Sequence, residues 1–136
     1  PLRWWLRQVG VTLINRDAPS KDAMRWVGAR LKAGEVVGMF PEGTRSRGRG
    51  LLPFKTGAFH AAIGAEVPII PIVCSSTSHI KFNRWNNGHV IVEMLPPVST
   101  ESYGKEGIRE LANLCREQME NKLEALDAEV KQRNQA

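Results

Sequence analysis

The amino-acid sequence predicts an α/β domain in which helices flank a mixed, largely parallel sheet and a long amphipathic helix ends the chain. Short apolar, β-branched segments alternate with segments of helical periodicity, which is typical of parallel strands joined by helical crossovers. The C-terminal part repeats apolar residues every three or four positions, as an amphipathic helix does. With 136 residues, 42% of them hydrophobic and 24% charged, the chain fits a single domain, residues 1–136.

The first half is predicted to contain two strands and two helices. Residues 11–14 are apolar and β-branched and predict the first strand. A helix then begins near Ser20 and ends at Gly34, since glycine commonly ends helices. Residues 36–40 predict the second strand and residues 57–63 the second helix.

The second half is predicted to contain two more strands and the long helix. Residues 69–74 form the third strand, and residues 89–95 form the fourth, which Pro96 and Pro97 end. The long helix covers about residues 105–130. Its apolar stripe consists of Ile108, Leu111, Cys115, Met119, Leu123, Leu126 and Val130. Cys115 is interpreted as a small buried residue. The wide spacing of Cys74 and Cys115 does not suit a metal site, and both are expected to be reduced thiols in a cytosolic setting.

The net charge of +5 is unevenly distributed along the chain. Residues 1–60 contain eleven Lys and Arg against four Asp and Glu, whereas residues 61–136 contain eight against ten. A basic face attracts nucleic acid, anionic lipid or a phosphorylated small molecule, and composition does not choose among them. Trp4 and Trp5 indicate either an anchor at a membrane interface or packing at a helix end. No apolar run reaches the roughly 18 residues of a membrane span, and no signal peptide is expected.

The strongest chemical signal is a segment we call the Glu42 loop, residues 40–55. It contains one carboxylate, three glycines and the three arginines Arg45, Arg47 and Arg49. Glycine lets backbone amides approach a ligand, and arginine forks match phosphate oxygens, so this composition predicts a phosphorylated substrate. A solvated basic loop is the plain alternative, but the central carboxylate and the interleaved glycines argue against it.

Two nucleotide-binding interpretations of the Glu42 loop fail. A phosphate-binding P-loop ending at Lys55 and Thr56 would need glycines where Arg49 and Phe54 stand. Arginine–glycine segments that bind nucleic acid are long and unstructured, whereas this one is short and lies between predicted strands.

Topology predicts which charged residues converge. Arg16 follows the first predicted strand and Glu42 follows the second. Because parallel strands end at the same edge of a sheet, we expect both on one rim, with Lys55 within reach.

The three histidines do not indicate a catalytic base. His60 is expected to be partly buried on the second helix, and His79 and His89 to lie in loops. None of the three has a carboxylate five positions later, and no nucleophile elbow is present.

Three segments, in order, resemble conserved blocks of the glycerophospholipid acyltransferase family. Residues 10–16, a glycine, an apolar strand and an arginine, resemble the second block. Residues 40–46 match the third block at every position, and residues 67–72 match the fourth, an apolar segment with proline. The resemblance covers nearly the whole chain.

The resemblance implies a glycerolipid-acyltransferase-like fold and a reaction without a cofactor or metal. A fatty acyl group would pass from acyl-CoA or acyl-carrier protein to the free hydroxyl of 1-acyl-glycerol-3-phosphate (lysophosphatidate), giving phosphatidic acid. The enzyme would act at an anionic membrane surface, on the cytoplasmic face of the inner membrane, with no nucleic-acid partner.

The resemblance also implies the site residues. The acceptor would be bound by Arg16, Glu42, Gly43, Thr44 and Arg45, to which we add Lys55 from its predicted position. The pocket would be lined by Val67, Pro68, Ile69, Ile70, Pro71 and Ile72.

The first block of the family, a catalytic histidine and an aspartate separated by four residues, has no counterpart here. We therefore expect this chain to be the C-terminal part of an acyltransferase, inactive alone, with the base upstream of Pro1. The alternative is a non-catalytic basic module that binds anionic lipid or nucleic acid. Within the enzyme class, the motifs do not separate lysophosphatidate from glycerol-3-phosphate or another lysolipid as acceptor.

Overall fold

The computed structural model describes residues 20–81, 83, 85 and 87–135. Within them lie helix α1 (Ser20–Lys32), helix α2 (Gly57–Gly64), strand β1 (Ile72–Cys74), strand β2 (Val92–Met94) and helix α3 (Ile108–Gln135). A 3-10 turn at Lys105–Gly107 leads into α3. The predicted strand at residues 11–14, the tryptophans at 4 and 5 and the predicted site residue Arg16 lie outside the described residues.

Helices α1 and α2 pack against each other at a close approach. Helix α1 buries Val27, and its half-buried Met24 faces the start of α2, where a β-carbon on Gly57 would lie only 3.1 Å from the Met24 sulfur. After α1 the chain turns at Gly34, whose φ of +81° lies in the left-handed region that glycine tolerates best. Both predicted helices of the first half are confirmed.

The predicted strand at residues 36–40 is wrong for this structure, because these residues are irregular. Nothing in the described sheet pairs with them, and a strand requires a hydrogen-bonded neighbour. The side chains of Val36 and Phe40 are 98% and 92% exposed.

Strands β1 and β2 pair antiparallel, with Ile72 opposite Met94 and Cys74 opposite Val92. The pairing continues beyond the strands, since Ile69 forms a bridge with Val98. Both strands lie inside their predicted segments but are shorter. The prediction of a largely parallel sheet is not confirmed. Parallel neighbours need a long crossover, usually helical, whereas residues 75–91 connect β1 to β2 without a described helix.

Helix α3 supplies one side of the core, as its periodicity predicts, and runs to Gln135. Its N-terminal half packs with Phe54 and Phe59 in one cluster, and its C-terminal half packs with Val73 and Leu95 in a second. Met119 contacts both clusters. The buried residues of α3 are Ile108, Leu111, Ala112, Cys115, Leu126 and Val130.

The two cysteines are free and occupy different environments. Cys115 is buried in the first core cluster, as predicted, whereas Cys74 is exposed on β1. Burial raises the pKa of the Cys115 thiol to about 11, because the thiolate would lose its hydration.

Candidate functional site

The Glu42 loop is tied at its base, so that its two ends lie side by side. The Lys55 amide donates a hydrogen bond of 2.8 Å to the Pro41 carbonyl. A tight turn opens the loop, in which the Gly43 amide donates to the Phe40 carbonyl at 3.1 Å. Gly43 has a φ of +68°, a left-handed conformation that a side chain would strain. The conformation of this turn therefore explains why position 43 is a glycine.

The Glu42 carboxylate is held by the loop that carries it. Its Oε2 accepts a hydrogen bond of 2.8 Å from the Leu52 amide, ten residues further along. Among the described residues, Oε1 has no hydrogen-bond partner and no ion pair joins Glu42 to an arginine or lysine. The carboxylate is thus fixed through one oxygen and can accept a hydrogen bond through the other.

The side chain of Lys55 lies across Gly43. A β-carbon on Gly43 would stand 2.8 Å from Lys55 Nζ and 2.9 Å from its Cε. Because Gly43 has no side chain, the Lys55 side chain can pack across the turn that carries Glu42 without a steric clash. The structure brings Glu42, Gly43 and Lys55 together.

The three arginines of the Glu42 loop are all exposed. Arg49 is engaged locally, since its Nε donates to the Ser46 carbonyl at 3.1 Å. Arg45 and its neighbour Thr44 make no side-chain hydrogen bond or ion pair to another described residue. The Arg45 guanidinium therefore keeps all of its donors for an anion, and such donors favour phosphate.

The predicted pocket segment, residues 67–72, forms the approach to β1. Pro71 is buried, whereas Ile70 and Ile72 are 51% and 53% exposed. On the neighbouring strand Val92 and Met94 are also exposed, and Met94 pairs with Ile72. These four side chains form an open apolar strip on one face of the sheet, and within the described residues they do not enclose a cavity.

The histidines are dispersed through the described structure. His60 is exposed on α2, contrary to the prediction of partial burial, because α2 turns Phe59, Ala61 and Ala62 toward the core instead. His79 is half-buried and His89 is exposed, as expected of loop residues. No metal-binding cluster of His, Cys, Asp or Glu occurs among the residues that the structure describes. In the same part of the chain, no helix is both long and apolar enough to span a membrane.

Arg116 on α3 also contacts the Glu42 loop, although the sequence pattern did not predict it as a site residue. Its Nη2 donates to the Leu51 carbonyl at 2.9 Å and its Nε donates to the Leu52 carbonyl at 3.3 Å. The Arg116–Glu120 spacing of four residues signals an ion pair on the helix surface. That spacing does not identify the loop that the arginine also reaches.

Comparisons with known proteins agree on one family. Residues 1–75 match the model of the protein family described as Acyltransferase. A 1-acyl-sn-glycerol-3-phosphate acyltransferase of Salmonella typhimurium is 66% identical over 98 residues, 71% of this chain and 40% of that protein. The Escherichia coli protein of that name is 64% identical over 101 residues, and a human alpha form is 42% identical over 126 residues. The chain spans about 40% of the length of these curated relatives.

A solved structure shows a similar fold. The crystal structure of the 1-acyl-sn-glycerophosphate acyltransferase PlsC from Thermotoga maritima matches with a TM-score of 0.75 and 29% identity. The match covers 93% of this chain and 52% of that one.

Proposed function

This chain belongs to the acyltransferase family, and from that premise we propose that it forms the acceptor-binding part of a lysophosphatidate acyltransferase. The complete enzyme would transfer a fatty acyl group from acyl-CoA or acyl-carrier protein to the free hydroxyl of 1-acyl-glycerol-3-phosphate. The product would be phosphatidic acid. Relatives that share up to 66% identity carry the name of this activity, which supports the acceptor.

The observation that carries the proposal is the arrangement of charges in the Glu42 loop. An exposed Arg45 and an ammonium from Lys55 lie in the loop whose carboxylate, Glu42, keeps one oxygen available. A phosphate monoester needs cationic donors, and a glycerol hydroxyl needs an acceptor. Lysophosphatidate presents both groups on one small headgroup. Arg16, outside the described residues, is proposed as a further phosphate ligand.

We assign the reaction step to attack of the acceptor hydroxyl on the thioester carbonyl. The hydroxyl oxygen forms the new ester bond, the carbon–sulfur bond breaks, and the thiol leaves with the proton that the base has taken. The base is proposed to be a histidine of a histidine–aspartate block that precedes this chain. The residues described here would bind and orient the acceptor rather than move its proton.

We propose that the acyl chain and the membrane contact the open apolar strip. Ile70 and Ile72 belong to the family's fourth block and stand beside Val92 and Met94 on the sheet surface. The enzyme is proposed to act on the cytoplasmic face of the inner membrane.

Acyl transfer to lysophosphatidate by a longer protein, in which a histidine–aspartate block precedes this chain, tests the proposal. The matched variants are Arg45→Gln and Arg47→Gln, which each remove one charge from an exposed position of the same loop. Arg45→Gln should raise the KM for lysophosphatidate roughly 10- to 100-fold, the equivalent of a charge-assisted hydrogen bond of about 1.5–3 kcal/mol. Arg47→Gln should change it less than about threefold, as expected of a solvated charge. The present chain alone should be inactive.

Equal losses in the two variants would contradict the acceptor site and support the alternative, a basic module that binds polyanions through total charge. Turnover by the present chain alone would show that His60, His79 or His89 is the base. If the longer protein prefers glycerol-3-phosphate, the family assignment stands, but the proposed acceptor is wrong.

A further inference from the structure

Arg116 contacts the Glu42 loop from outside the conserved blocks. It lies on α3, 64 and 65 residues away from the two leucines whose carbonyls accept its hydrogen bonds. Its guanidinium also forms a forked pair with Glu120, with Nη1 and Nη2 each 3.0 Å from a carboxylate oxygen. The side chain is 31% exposed, so it is partly withdrawn from water.

The contacts of Arg116 continue to the motif carboxylate through a single residue. Leu52 accepts from Arg116 through its carbonyl and donates to Glu42 through its amide, at 3.3 Å and 2.8 Å. Because both groups belong to the backbone of one residue, a shift of Leu52 relative to α3 also shifts the hydrogen-bond donor of Glu42.

The geometry of the fork restricts the loop more than one hydrogen bond would. Two successive carbonyls, of Leu51 and Leu52, are bound by two different nitrogens of one planar group. The Glu120 carboxylate fixes the orientation of that plane from the same helix. A lysine at position 116 would keep the charge and lose the fork.

We propose that Arg116 is a positioning residue for the acceptor site, which sets the location of Glu42 by holding Leu51 and Leu52 against α3. This inference rests on the function proposed above for the Glu42 loop. Through Glu42 it also acts on the turn at Gly43 and on the ammonium that crosses it. A simple structural role would predict lower stability, whereas a positioning role predicts weaker acceptor binding in protein that is fully folded.

The test uses Arg116→Ala in the longer protein, with Arg133→Ala as the matched control. Arg133 lies on the same helix and forms an ion pair with Glu129, also four residues away. Among the described residues, it makes no hydrogen bond to the Glu42 loop. Two readouts are taken: amide hydrogen exchange of residues 51–55, and steady-state kinetics with lysophosphatidate and an acyl thioester. The melting temperature of each variant reports global stability.

We expect Arg116→Ala to speed exchange of the Leu52 amide and to raise the KM for lysophosphatidate about tenfold, because a small misplacement of a binding group is costly. Both kcat and the KM for the thioester should stay within about twofold, because neither depends on acceptor binding. Arg116→Lys should give a smaller effect in the same direction. Arg133→Ala should change neither readout.

The two readouts separate failure of this inference from failure of the proposed function. Unchanged Leu52 exchange with unchanged KM would overturn the positioning role. Activity lost only in proportion to unfolded protein would also overturn it. Faster exchange with an unchanged KM would instead contradict the acceptor role of the Glu42 loop. Should Arg116→Ala not fold, Arg116→Lys and Glu120→Gln, which weakens the fork without removing the arginine, provide the same comparison.

Discussion

At the scale of single residues, Glu42 combines a structural hydrogen bond with a carboxylate oxygen that is free among the described residues and that the proposed acceptor could use. One carboxylate oxygen accepts from the Leu52 amide and stabilises the loop, while the other has no partner in the described structure. The hydrogen bond fixes the carboxylate next to the Gly43 turn, which the Lys55 side chain crosses. Under the proposed function, this arrangement would pre-organise the site for the acceptor.

Glu42→Gln separates the charge of this residue from its structural bond, because a glutamine oxygen can still accept from the Leu52 amide. We expect the variant to fold normally and to lose about tenfold in kcat/KM for lysophosphatidate, the difference between a charged and a neutral hydrogen-bond acceptor of about 1–1.5 kcal/mol. The kinetic assay measures this loss, and binding to heparin serves as the comparison. Unchanged kcat/KM together with tighter heparin binding would support the polyanion-binding module instead.

At the scale of secondary-structure elements, helix α3 contacts both core clusters and the loops around them. Its apolar face packs against α2 and the sheet, and polar side chains beside that face bind the loops. Asp127 accepts a hydrogen bond of 2.6 Å from the amide of Ser76, two residues after β1, and Lys122 pairs with Glu93 on β2 at 2.9 Å. Together with Arg116, these contacts link one helix to the Glu42 loop and to both strands.

Leu111 is the most deeply buried large side chain of α3, with 0% exposure. We expect Leu111→Ala to lower the free energy of unfolding by about 2–5 kcal/mol, because a cavity would remain between α3 and Phe54 or Phe59. Urea unfolding of the longer protein measures the loss, with the exposed Asn113→Ala as control. A loss below about 1 kcal/mol would mean that the first core cluster does not hold the loop-bearing half of the chain together.

At the scale of the whole molecule, the half of the chain with excess positive charge is also the half that contains the candidate site. The excess of Lys and Arg lies in residues 1–60, and three of the cations in that half are the exposed arginines of the Glu42 loop. An anionic membrane surface attracts such a region by about 1 kcal/mol for each cationic side chain near it. The proposed acceptor, lysophosphatidate, is itself an anionic lipid, so the same positive field would attract both the membrane and the acceptor.

Vesicle binding tests this charge distribution. We expect the protein to sediment with vesicles of phosphatidylglycerol at about 0.05 M salt and to be released at about 0.5 M, where screening shortens the range of the attraction to a few ångströms. Vesicles of neutral phosphatidylcholine provide the control and should bind less protein at low salt. Equal, salt-independent binding to both lipids would indicate that apolar side chains, and not the cations, dominate membrane attachment.

The helices, the positions of the two strands and the family were accessible from sequence for local reasons, whereas the antiparallel pairing of the strands was not. Helical periodicity, glycine at helix ends and proline after strands act within a few residues, so α1, α2 and α3 appear where the pattern predicts them. The residues of the Glu42 loop are contiguous, so their spacing is visible without a structure. Residues 36–40 show the limit of local signals, because a strand also needs a neighbour.

Only the tertiary structure decided which distant residues meet. The sequence by itself determined that a carboxylate, glycines and arginines share one loop, and which family that loop resembles. It did not determine that Leu52 holds Glu42, that Lys55 crosses Gly43, or that Arg116 binds the loop from a helix more than sixty residues away. Such contacts depend on the tertiary fold, which brings distant segments together. The local sequence around each residue does not identify its distant partner.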